Sequence, residues 1–303
     1  MRGVPGVQPE RLKEAFTVAH CALSLVGEPI MYPQINTMLR ELHNRHISTF
    51  MVTNAQFPGE IAALDPVTQL YVSVDASTKE SLKAIDRPLF KDFWERFHGS
   101  LKSLADKQQR TVYRLTLVNG WNMNEAEEYA KLIEEHQPDF IEIKAVTYCG
   151  KSDGSSLTME NVPWHKEVCA YCEAIAGLVE KIGVEKAQKS ETKTALASRV
   201  RYSIATEHEH SCCVLLARED KFLVDGVWNT WIDYPKYNAL IQDYYASNGE
   251  KTFISTDYML PTPHWALYQA PERGFDPVEN RWRRNKAGAL VEREYKSSES
   301  GCG

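Results

Sequence analysis

The sequence has no run of about 18 consecutive apolar residues, the length that a helix needs to cross a bilayer, so we expect no membrane-spanning segment. Its first residues lack the apolar core of a secretory signal. A His-Glu-x-x-His motif and a Ser-His-Asp pattern are also missing, which makes a hydrolytic barrel enzyme the weakest interpretation. These absences favour a cytoplasmic protein that is not a simple hydrolase.

Cysteine is scarce and does not form the spacing of a disulfide framework. The seven cysteines are an odd number, at positions 21, 149, 169, 172, 212, 213 and 302. A reducing compartment such as the cytosol is therefore predicted. The C-x-x-C pair of Cys169 and Cys172 falls inside a predicted helix and not at a strand-to-helix turn, which disfavours a redox or metal function for it.

Charge is present in moderate amount, with a small acidic excess. The 303 residues are 43% hydrophobic and 25% charged, and the formal net charge is −6 at pH 7. This composition suits a globular chain with a sizeable core, in one large or two small domains. An acidic chain is not expected to coat nucleic acid over its whole surface, but a local basic patch is compatible with it.

Apolar, β-branched runs alternate with amphipathic stretches along the first 180 residues. Strands are predicted at 21–26, 47–52, 70–75, 112–118 and 140–146. Helices are predicted at 33–44, at 79–106 with a break at 87–88, at 124–136 and at 164–181. Strands that alternate with helices in this way form βαβ units around a parallel sheet, and about five units fit here.

The pattern changes after the fifth unit. The segment 185–201 is polar and rich in Lys, Ser and Thr, which predicts a mobile insertion. Strands are predicted at 206–217 and 221–233, the second with Asp225–Gly226 as a hairpin turn, and a short helix is predicted at 237–245. The remainder is irregular and ends in a tail rich in Ser and Gly.

Small polar residues follow or end the first three predicted strands. They are, in strand order, Gly27, Glu28 and Pro29, then Asn54, then Ser73 and Asp75. Because parallel strands bring their carboxyl ends to one edge of a sheet, Glu28 and Asn54 should lie side by side. A carboxylate can hold an ammonium group, and the set suits one ligand with an amino-acid part and a ribose. For Glu28 taken alone, a turn with a solvated carboxylate is the alternative.

Two further places are candidates for catalysis. Lys144 lies in a predicted strand, where it could pair with a carboxylate or react with a carbonyl group; a partly solvated strand lysine is the alternative. Residues 207–213 read EHEHSCC, and in a strand His208 and His210 share one face while the two glutamates share the other. This row has three open interpretations: a structural role, a substrate-facing polar row, or a zinc site whose spacing fits no standard finger.

The region before the tail combines cations with aromatic rings. The candidate nucleic-acid contacts are Trp265, Arg273, Arg281, Arg283, Arg284 and Lys286. Four cations within six residues, in an acidic chain, predict a phosphate-binding segment, and aromatic rings can stack on unpaired bases. A solvated tail is the alternative.

Long stretches of the chain, taken in order, resemble the radical S-adenosylmethionine (SAM) enzymes of wybutosine biosynthesis, the tRNA 4-demethylwyosine synthases of eukaryotic type. The resemblance covers most of residues 3–286. Its stretches include HCALSLVGEPIMYP, STFMVTNAQFP, PVTQLYVSVDAST, PDFIEIKAVTYCG, EHEHSCC and DYMLPTPHWALYQAPERGFDP. So many long matches in the same order are far more specific than any single motif.

The resemblance implies an α/β fold: a partial (βα)6 TIM-like barrel of the radical SAM type, missing its first strand and its cluster loop, with a family-specific C-terminal extension. The implied divisions are a barrel part at 1–182, a polar mobile insertion at 183–204, an extension with the tRNA-binding segment at 205–286 and a disordered tail at 287–303. By the same resemblance, Gly27, Glu28 and Pro29 match the motif that holds the amino group of SAM. The positions implied to contact its carboxylate or ribose are Asn54, Ser73 and Asp75.

The implied chemistry uses SAM and a [4Fe-4S] cluster, which together yield methionine and a 5′-deoxyadenosyl radical. The radical takes a hydrogen atom from the N-methyl group of 1-methylguanosine next to the anticodon of tRNA-Phe. Pyruvate supplies two carbons, and a third ring closes on the base. Family members bind pyruvate through a lysine, a role that the resemblance does not assign to Lys144.

The family's cluster-binding C-x-x-x-C-x-x-C loop does not occur in this sequence. We expect those cysteines upstream of Met1, so no metal ligand is assigned in this chain. By the same resemblance, we do not expect the flavodoxin-like FMN domain of eukaryotic members within these 303 residues, and either that domain or a separate reductase is the expected electron donor. Two functions follow: by family, a lyase-class radical SAM enzyme acting on tRNA; alternatively, a truncated tRNA-binding fragment that is inactive alone.

Overall fold

The computed structural model describes residue 4 and residues 7–24, 27–150, 156–189, 200–278, 282–284 and 288–292. Its main sheet has seven strands: β1 His20–Leu23, β2 Ser48–Thr53, β3 Gln69–Ser73, β4 Arg110–Leu117, β5 Phe140–Ala145, β6 Tyr202–His208 and β7 Cys213–Arg218. They lie in the order β1-β2-β3-β4-β5-β7-β6. Strands β1 to β5 are parallel, so the five predicted βα units are confirmed with shifted ends.

Helices connect the parallel strands and cover one face of the sheet. Their bounds are α1 Pro9–Glu14, α2 Ile35–His43, α3 Pro58–Ala63, α4 Lys79–Ile85, α5 Phe93–Ala105, α6 Ala126–His136 and α7 His165–Lys189. Apolar residues at helical spacing, such as Phe97 and Leu101 of α5, share one buried core with every second strand residue, such as Val72 and Leu115. The opposite face of the sheet, called here the inner face, is not covered by these helices and can contact other parts of the chain.

The segment 206–217, predicted as one strand, is instead parts of two. β6 ends at His208, a single turn of 3-10 helix covers Glu209–Ser211, and Cys212 takes a left-handed φ of 45° that reverses the chain. β7 then pairs antiparallel with both β6 and β5. The prediction was wrong because this turn contains no Gly, Pro, Asn or Asp, and Ser211 alone is a weak turn signal.

Residues 219–262 close the amino ends of the parallel strands. Their elements are α8 Glu219–Phe222, β8 Leu223–Val224, β9 Val227–Trp228, β10 Trp231–Ile232, α9 Tyr234–Ala246 and β11 Met259–Leu260. The predicted turn at Asp225–Gly226 is confirmed between β8 and β9. Buried Arg110, the first residue of β4, donates to the main-chain oxygens of Thr230 at 2.5 Å and Trp231 at 3.1 Å. This contact fixes the segment beneath the sheet.

Residues 264–276, called here the C-terminal strap, run along the outer edge of β6. Thr206 and Leu267 form an antiparallel bridge, and the N–H of Tyr268 donates to the carbonyl oxygen of Ala205 at 3.1 Å. The strap therefore covers an edge that would otherwise present unpaired main-chain groups. Beyond it, β12 Trp282–Arg284 pairs antiparallel with β13 Leu290–Glu292.

The mobile insertion predicted at 183–204 is corrected at both ends. Helix α7 continues to Lys189 because an apolar face persists among its polar residues, with Val179 and Ala187 buried, and β6 already begins at Tyr202. Residues 190–199 lie outside the described part of the chain. Within the predicted tail at 287–303, the strand β13 is described. None of the described helices is long and apolar enough to cross a bilayer.

Candidate functional site

The inner face of the sheet carries polar and charged side chains in rows that run across the strands. One row, read along the paired positions, is Ser73, Arg114, Glu142, Leu215 and Thr206. The next row towards the carboxyl ends of the parallel strands is Thr116, Lys144, Cys213 and His208. Paired residues of neighbouring strands point to the same face. The sheet thus brings the candidates Lys144 and His208 into one row, on either side of Cys213.

Glu28 and Asn54 meet at the carboxyl ends of β1 and β2, as predicted. The main-chain N–H of Asn54 donates to Oε2 of Glu28 at 2.8 Å. Oε1 of the same carboxylate is buried and has no hydrogen-bond partner. Gly27 takes a left-handed φ of 77°, and Pro29 opens a short 3-10 turn, so the chain bends sharply on both sides of Glu28. The result is a half-buried carboxylate with one buried oxygen available for a cationic donor.

Ser73 and Asp75 lie at the end of the neighbouring strand β3, both half-buried. Oδ1 of Asp75 accepts from the N–H of Thr116 at 3.3 Å, and the amide of Asn122 donates to the main-chain oxygen of Asp75 at 3.0 Å. These bonds tie the end of β3 to β4. All six predicted SAM-binding residues therefore belong to the carboxyl ends of three adjacent strands.

Charges of both signs stand on the inner face. Nε of Arg114 lies 3.4 Å from Oε1 of Glu142. Burial raises the pKa values of Glu142 and Asp75, and the positive charges of Arg114 and Lys144 lower them only in part. Burial likewise raises the pKa of Glu28, against the opposing hydrogen bond from Asn54. The site therefore holds carboxylates that gain stability from a cationic ligand.

His208 and His210 do not share a strand face, because β6 ends at His208. Their rings lie 6.4 Å apart, and both pack against Phe275 of the strap. His210 is exposed and lines a small cavity of about 120 Å³ together with Lys144. The alternation expected for the row is thus corrected, although both histidines stay near the inner face.

The glutamates of the same row hold the strap in place. Nε2 of His165 lies 2.7 Å from Oε2 of Glu207 and 3.5 Å from Sγ of Cys169. The N–H of Gln269 donates to Oε1 of Glu207 at 2.7 Å, and Arg273 pairs with Glu209 at 2.6 Å. Both carboxylate oxygens of Glu207 are thus committed to protein donors, which favours the structural interpretation over a zinc site.

The pair of His165 and Glu207 was not predicted from the sequence, because its members are 42 residues apart. Burial opposes the charge of His165, but Cys169 and Glu207 raise its pKa to about 9. The pKa of Glu207 is lowered: burial raises it, and the bonds from His165 and Gln269 outweigh that effect. A charged histidine–carboxylate pair therefore joins α7, β6 and the strap.

A larger cavity of about 500 Å³ lies between the inner face and the segments that follow β7. Its aromatic walls are Tyr71, Phe140, Trp231, Tyr234 and Trp265, and its polar groups include Glu142, His208 and Asp276. These residues come from positions 71 to 276, so no local motif could reveal the cavity. Volumes of this size are typical of small-molecule sites.

The predicted nucleic-acid contacts do not all lie in one region of the described structure. Trp265 lines the larger cavity and is half-buried, whereas Arg273 is exposed on the strap. Arg283 and Arg284 belong to β12, described by its backbone pairing. Arg281 and Lys286 lie outside the described residues.

The thiols of the described part of the chain do not fit a [4Fe-4S] cluster, which needs three thiolates from one loop. Cys21, Cys169 and Cys213 are half-buried and belong to three different elements, and Cys149 lies alone in a loop. Burial raises the pKa of Cys172 well above its usual range, so this thiol of the C-x-x-C pair is inert. No chemical step is assigned through a cluster here.

Comparison with known proteins identifies two matched regions along the chain. The family model for the radical SAM superfamily matches residues 8–133, and the model for wyosine base formation matches residues 135–218. The S-adenosyl-L-methionine-dependent tRNA 4-demethylwyosine synthase of Oryza sativa subsp. japonica is 59% identical over 293 residues, 96% of this chain and 41% of that protein. The corresponding protein of Danio rerio is 60% identical over 93% of this chain and 36% of its own length. The chain thus spans about two fifths of the curated relatives that it matches.

Two solved structures share the fold. One, a TYW1 structure with a lysine–pyruvate adduct bound, is 27% identical and covers 71% of this chain and 61% of its own, with a TM-score of 0.58. The other, an archaeal TYW1, is 26% identical with a TM-score of 0.53, over 70% of this chain and 61% of its own. Three findings point to the same family: the mostly parallel sheet, the order of the two matched regions and the identity to the relatives. The chain belongs to the radical SAM superfamily, in the family whose members join a radical SAM region to a wyosine base formation region.

Proposed function

We propose that the chain forms the SAM-binding and base-forming part of a tRNA 4-demethylwyosine synthase. The reaction condenses 1-methylguanosine, next to the anticodon of tRNA-Phe, with pyruvate to give a tricyclic base, in a lyase-class step of wybutosine synthesis in the cytoplasm. The observation that carries the proposal is the buried Oε1 of the half-buried Glu28, which has no hydrogen-bond partner and lies at the carboxyl ends of adjacent strands inside the matched radical SAM region.

The strand-end residues have distinct roles in this proposal. Oε1 of Glu28 accepts from the ammonium group of SAM, because a buried carboxylate oxygen without a partner is best satisfied by a cationic donor. Gly27 and Pro29 shape the turn that presents it. The residues that bind the carboxylate and ribose of SAM are Asn54, Ser73 and Asp75.

The inner-face cations bind the second substrate. Lys144 and Arg114 attract the carboxylate of pyruvate, because both are cations on the inner face and stand in neighbouring rows. His208 stands in the row of Lys144 and, with the exposed His210 at its end, is a candidate for moving protons near that carboxylate. SAM, if bound at Glu28, would supply the organic radical chemistry that acts on the N-methyl group.

Further partners follow from the same proposal. The electron donor is a flavodoxin-like FMN domain or a separate reductase. The tRNA lies against Arg273 of the strap and against Arg283 and Arg284 beyond it, with Arg281 and Lys286 as further phosphate contacts. The second candidate, a tRNA-binding chain without catalysis, is favoured only by the absence of the C-x-x-x-C-x-x-C loop from this sequence.

The test is SAM binding by the 303-residue chain, measured by isothermal titration calorimetry. Glu28→Gln should raise the Kd for SAM about tenfold, because the charge that pairs with the ammonium is lost while the fold is kept. Glu60→Gln is the matched control, since Glu60 is exposed on α3 and should leave the Kd unchanged. Equal affinity of the Glu28→Gln variant and the unaltered chain would contradict the proposal.

A further inference from the structure

Helices α5 and α6 bring two histidines and a glutamate together on the helical side of the sheet. They are His98 of α5 and the adjacent Glu135 and His136 in the last turn of α6. One nitrogen of each histidine and one carboxylate oxygen of Glu135 all lie within 4.8 Å of one another. Helix α6 ends just before β5 begins, so this cluster lies towards the amino ends of the parallel strands, away from Glu28 at their carboxyl ends.

The side chain of His136 is buried without a hydrogen bond to its Nε2. It is only 8% exposed, and Nε2 is fully buried and has no hydrogen-bond partner. Oε1 of Glu135 lies 3.9 Å from this nitrogen, which is too far for a hydrogen bond. The ring of His98 lies beyond it, with 6.0 Å between the ring centroids. A buried polar atom without a partner destabilises the fold, and an ion held between the three side chains would satisfy it.

The electrostatics of the cluster suit a metal ion. Burial lowers the pKa of His136, and although Glu135 raises it, His98 and Lys186 lower it further, so the imidazole is neutral at pH 7 and offers a lone pair. Lys186 is the opposing positive charge, but its Nζ pairs with the carboxylate of Glu134. The last turn of α6 also carries the negative end of the helix dipole, which favours a cation.

We infer that His98, Glu135 and His136 bind one zinc ion that joins α5 to α6. Two imidazole nitrogens and one carboxylate oxygen form a known three-residue ligand set for zinc, with water in the fourth position. Magnesium and calcium prefer oxygen ligands, so the two imidazoles select against them. Ligand atoms about 2 Å from a shared zinc lie roughly 3.4 Å apart, so the cluster contracts slightly around the ion. The exposed side chain of Glu135 can rotate to allow this contraction.

A second group of possible ligands, formed by His165, Cys169 and Glu207, is less suited to the ion. Both carboxylate oxygens of Glu207 already accept hydrogen bonds, one from Nε2 of His165 and one from the N–H of Gln269. A metal ion there would have to break an existing charged pair, whereas Nε2 of His136 has no bond to lose. The experiment therefore includes a variant of each group.

The test is Zn²⁺ binding by the 303-residue chain without a histidine tag, measured by isothermal titration calorimetry after a chelator has removed bound metal. We expect one ion per chain and no heat of binding from Mg²⁺. Glu135→Gln should raise the Kd for Zn²⁺ about tenfold, because the charge of one ligand is lost while the exposed side chain keeps its shape. His98→Phe should raise it about a hundredfold, because a ring remains but its nitrogen donor does not. Glu127→Gln is the matched control, since Glu127 is exposed on the same helix and should leave the Kd unchanged.

Cys169→Ser separates the two groups and should leave the Kd for Zn²⁺ unchanged. A Kd that rises in Cys169→Ser but not in Glu135→Gln would place the ion at the other group and overturn the inference. Equal affinities of Glu135→Gln and Glu127→Gln, or no binding by the unaltered chain, would overturn it as well.

Thermal unfolding tests whether the ion joins the two helices in the folded chain. Zn²⁺ at about 100 times the Kd should raise the Tm of the unaltered chain by about 4 °C, because an ion that binds only the folded state stabilises it. The same addition should leave the Tm of His98→Phe nearly unchanged. An unaltered chain whose Tm does not respond to Zn²⁺ would contradict the proposed link between α5 and α6.

Discussion

The two ends of the parallel strands are built for different purposes. At the amino end, residues 219–262 meet the polar groups of the sheet: the N–H of Arg110 donates to the hydroxyl of Tyr258 at 2.9 Å, and that hydroxyl donates to the carbonyl oxygen of Thr68 at 2.9 Å. At the carboxyl end, Glu28 keeps a buried oxygen without a partner. The comparison shows that the protein itself bonds these main-chain groups at one end, whereas the other end keeps a carboxylate oxygen, the acceptor that a cationic ligand needs.

The largest expected effect lies at the amino end. Arg110→Ala removes a fully buried side chain, leaves the carbonyl oxygens of Thr230 and Trp231 without their donor, and opens space beside Phe140. We expect the free energy of unfolding in urea to fall by about 4 kcal/mol. The control Arg45→Ala removes an exposed arginine paired with Glu41, and it should change stability by no more than about 0.5 kcal/mol. Similar losses in both variants would remove the basis of the comparison.

An intermediate effect is expected at Glu207, which lies at the carboxyl end of β6 but is fully bonded. Glu207→Gln weakens the bond to His165 and leaves this half-buried histidine without its charged partner. We expect a loss of about 2 kcal/mol in the free energy of unfolding, measured by urea titration at pH 7. A loss near zero would mean that the location of Glu207 at the carboxyl end of β6, and not its hydrogen bonds, decides how much it contributes to stability. The exposed Glu41→Gln variant is the control.

The same pair predicts a pH dependence. The pKa of His165 is raised to about 9 in the folded chain, against about 6.5 when unfolded, so its contribution is fully present below the unfolded value and is lost as the pH rises through the folded one. The stability difference between the unaltered chain and Glu207→Gln should therefore shrink steadily from pH 7 to pH 10. A difference that stays constant over this range would show that His165 is neutral in the folded chain.

The smallest effect is expected at Glu28, and its sign is opposite. Burial raises the pKa of Glu28, so its charge is unfavourable in the SAM-free chain and stability should rise as the pH falls through the folded value. Glu28→Gln removes that charge and keeps an acceptor for the N–H of Asn54. We expect the SAM-free variant to be more stable by about 0.5 kcal/mol in thermal unfolding, as is common where a site retains unpaired groups for a ligand. A clear destabilisation would show that Glu28 is mainly structural.

The sequence predicts the parallel part of the sheet and the meeting of Glu28 with Asn54, because both depend on local periodicity and on the common direction of parallel strands. It does not predict the turn after His208, since Ser211 is the only turn-favouring residue of EHSC and its signal is weak. It also gives no sign of the pair formed by His165 and Glu207, or of a cavity whose walls range from Tyr71 to Trp265. These contacts join distant positions, and hydrophobic periodicity carries no information about such distances.

Gly274 lies at a position of the strap where no larger residue fits. Its φ is 88°, and a Cβ placed there would lie 2.1 Å from the carbonyl oxygen of Glu207 and 2.6 Å from Cα of His208. Two main chains touch at this point with no side chain between them, so no change of rotamer can make room for a larger residue. The distance between strap and strand is consequently fixed by the two backbones, and any larger residue at position 274 would push the strap away from β6.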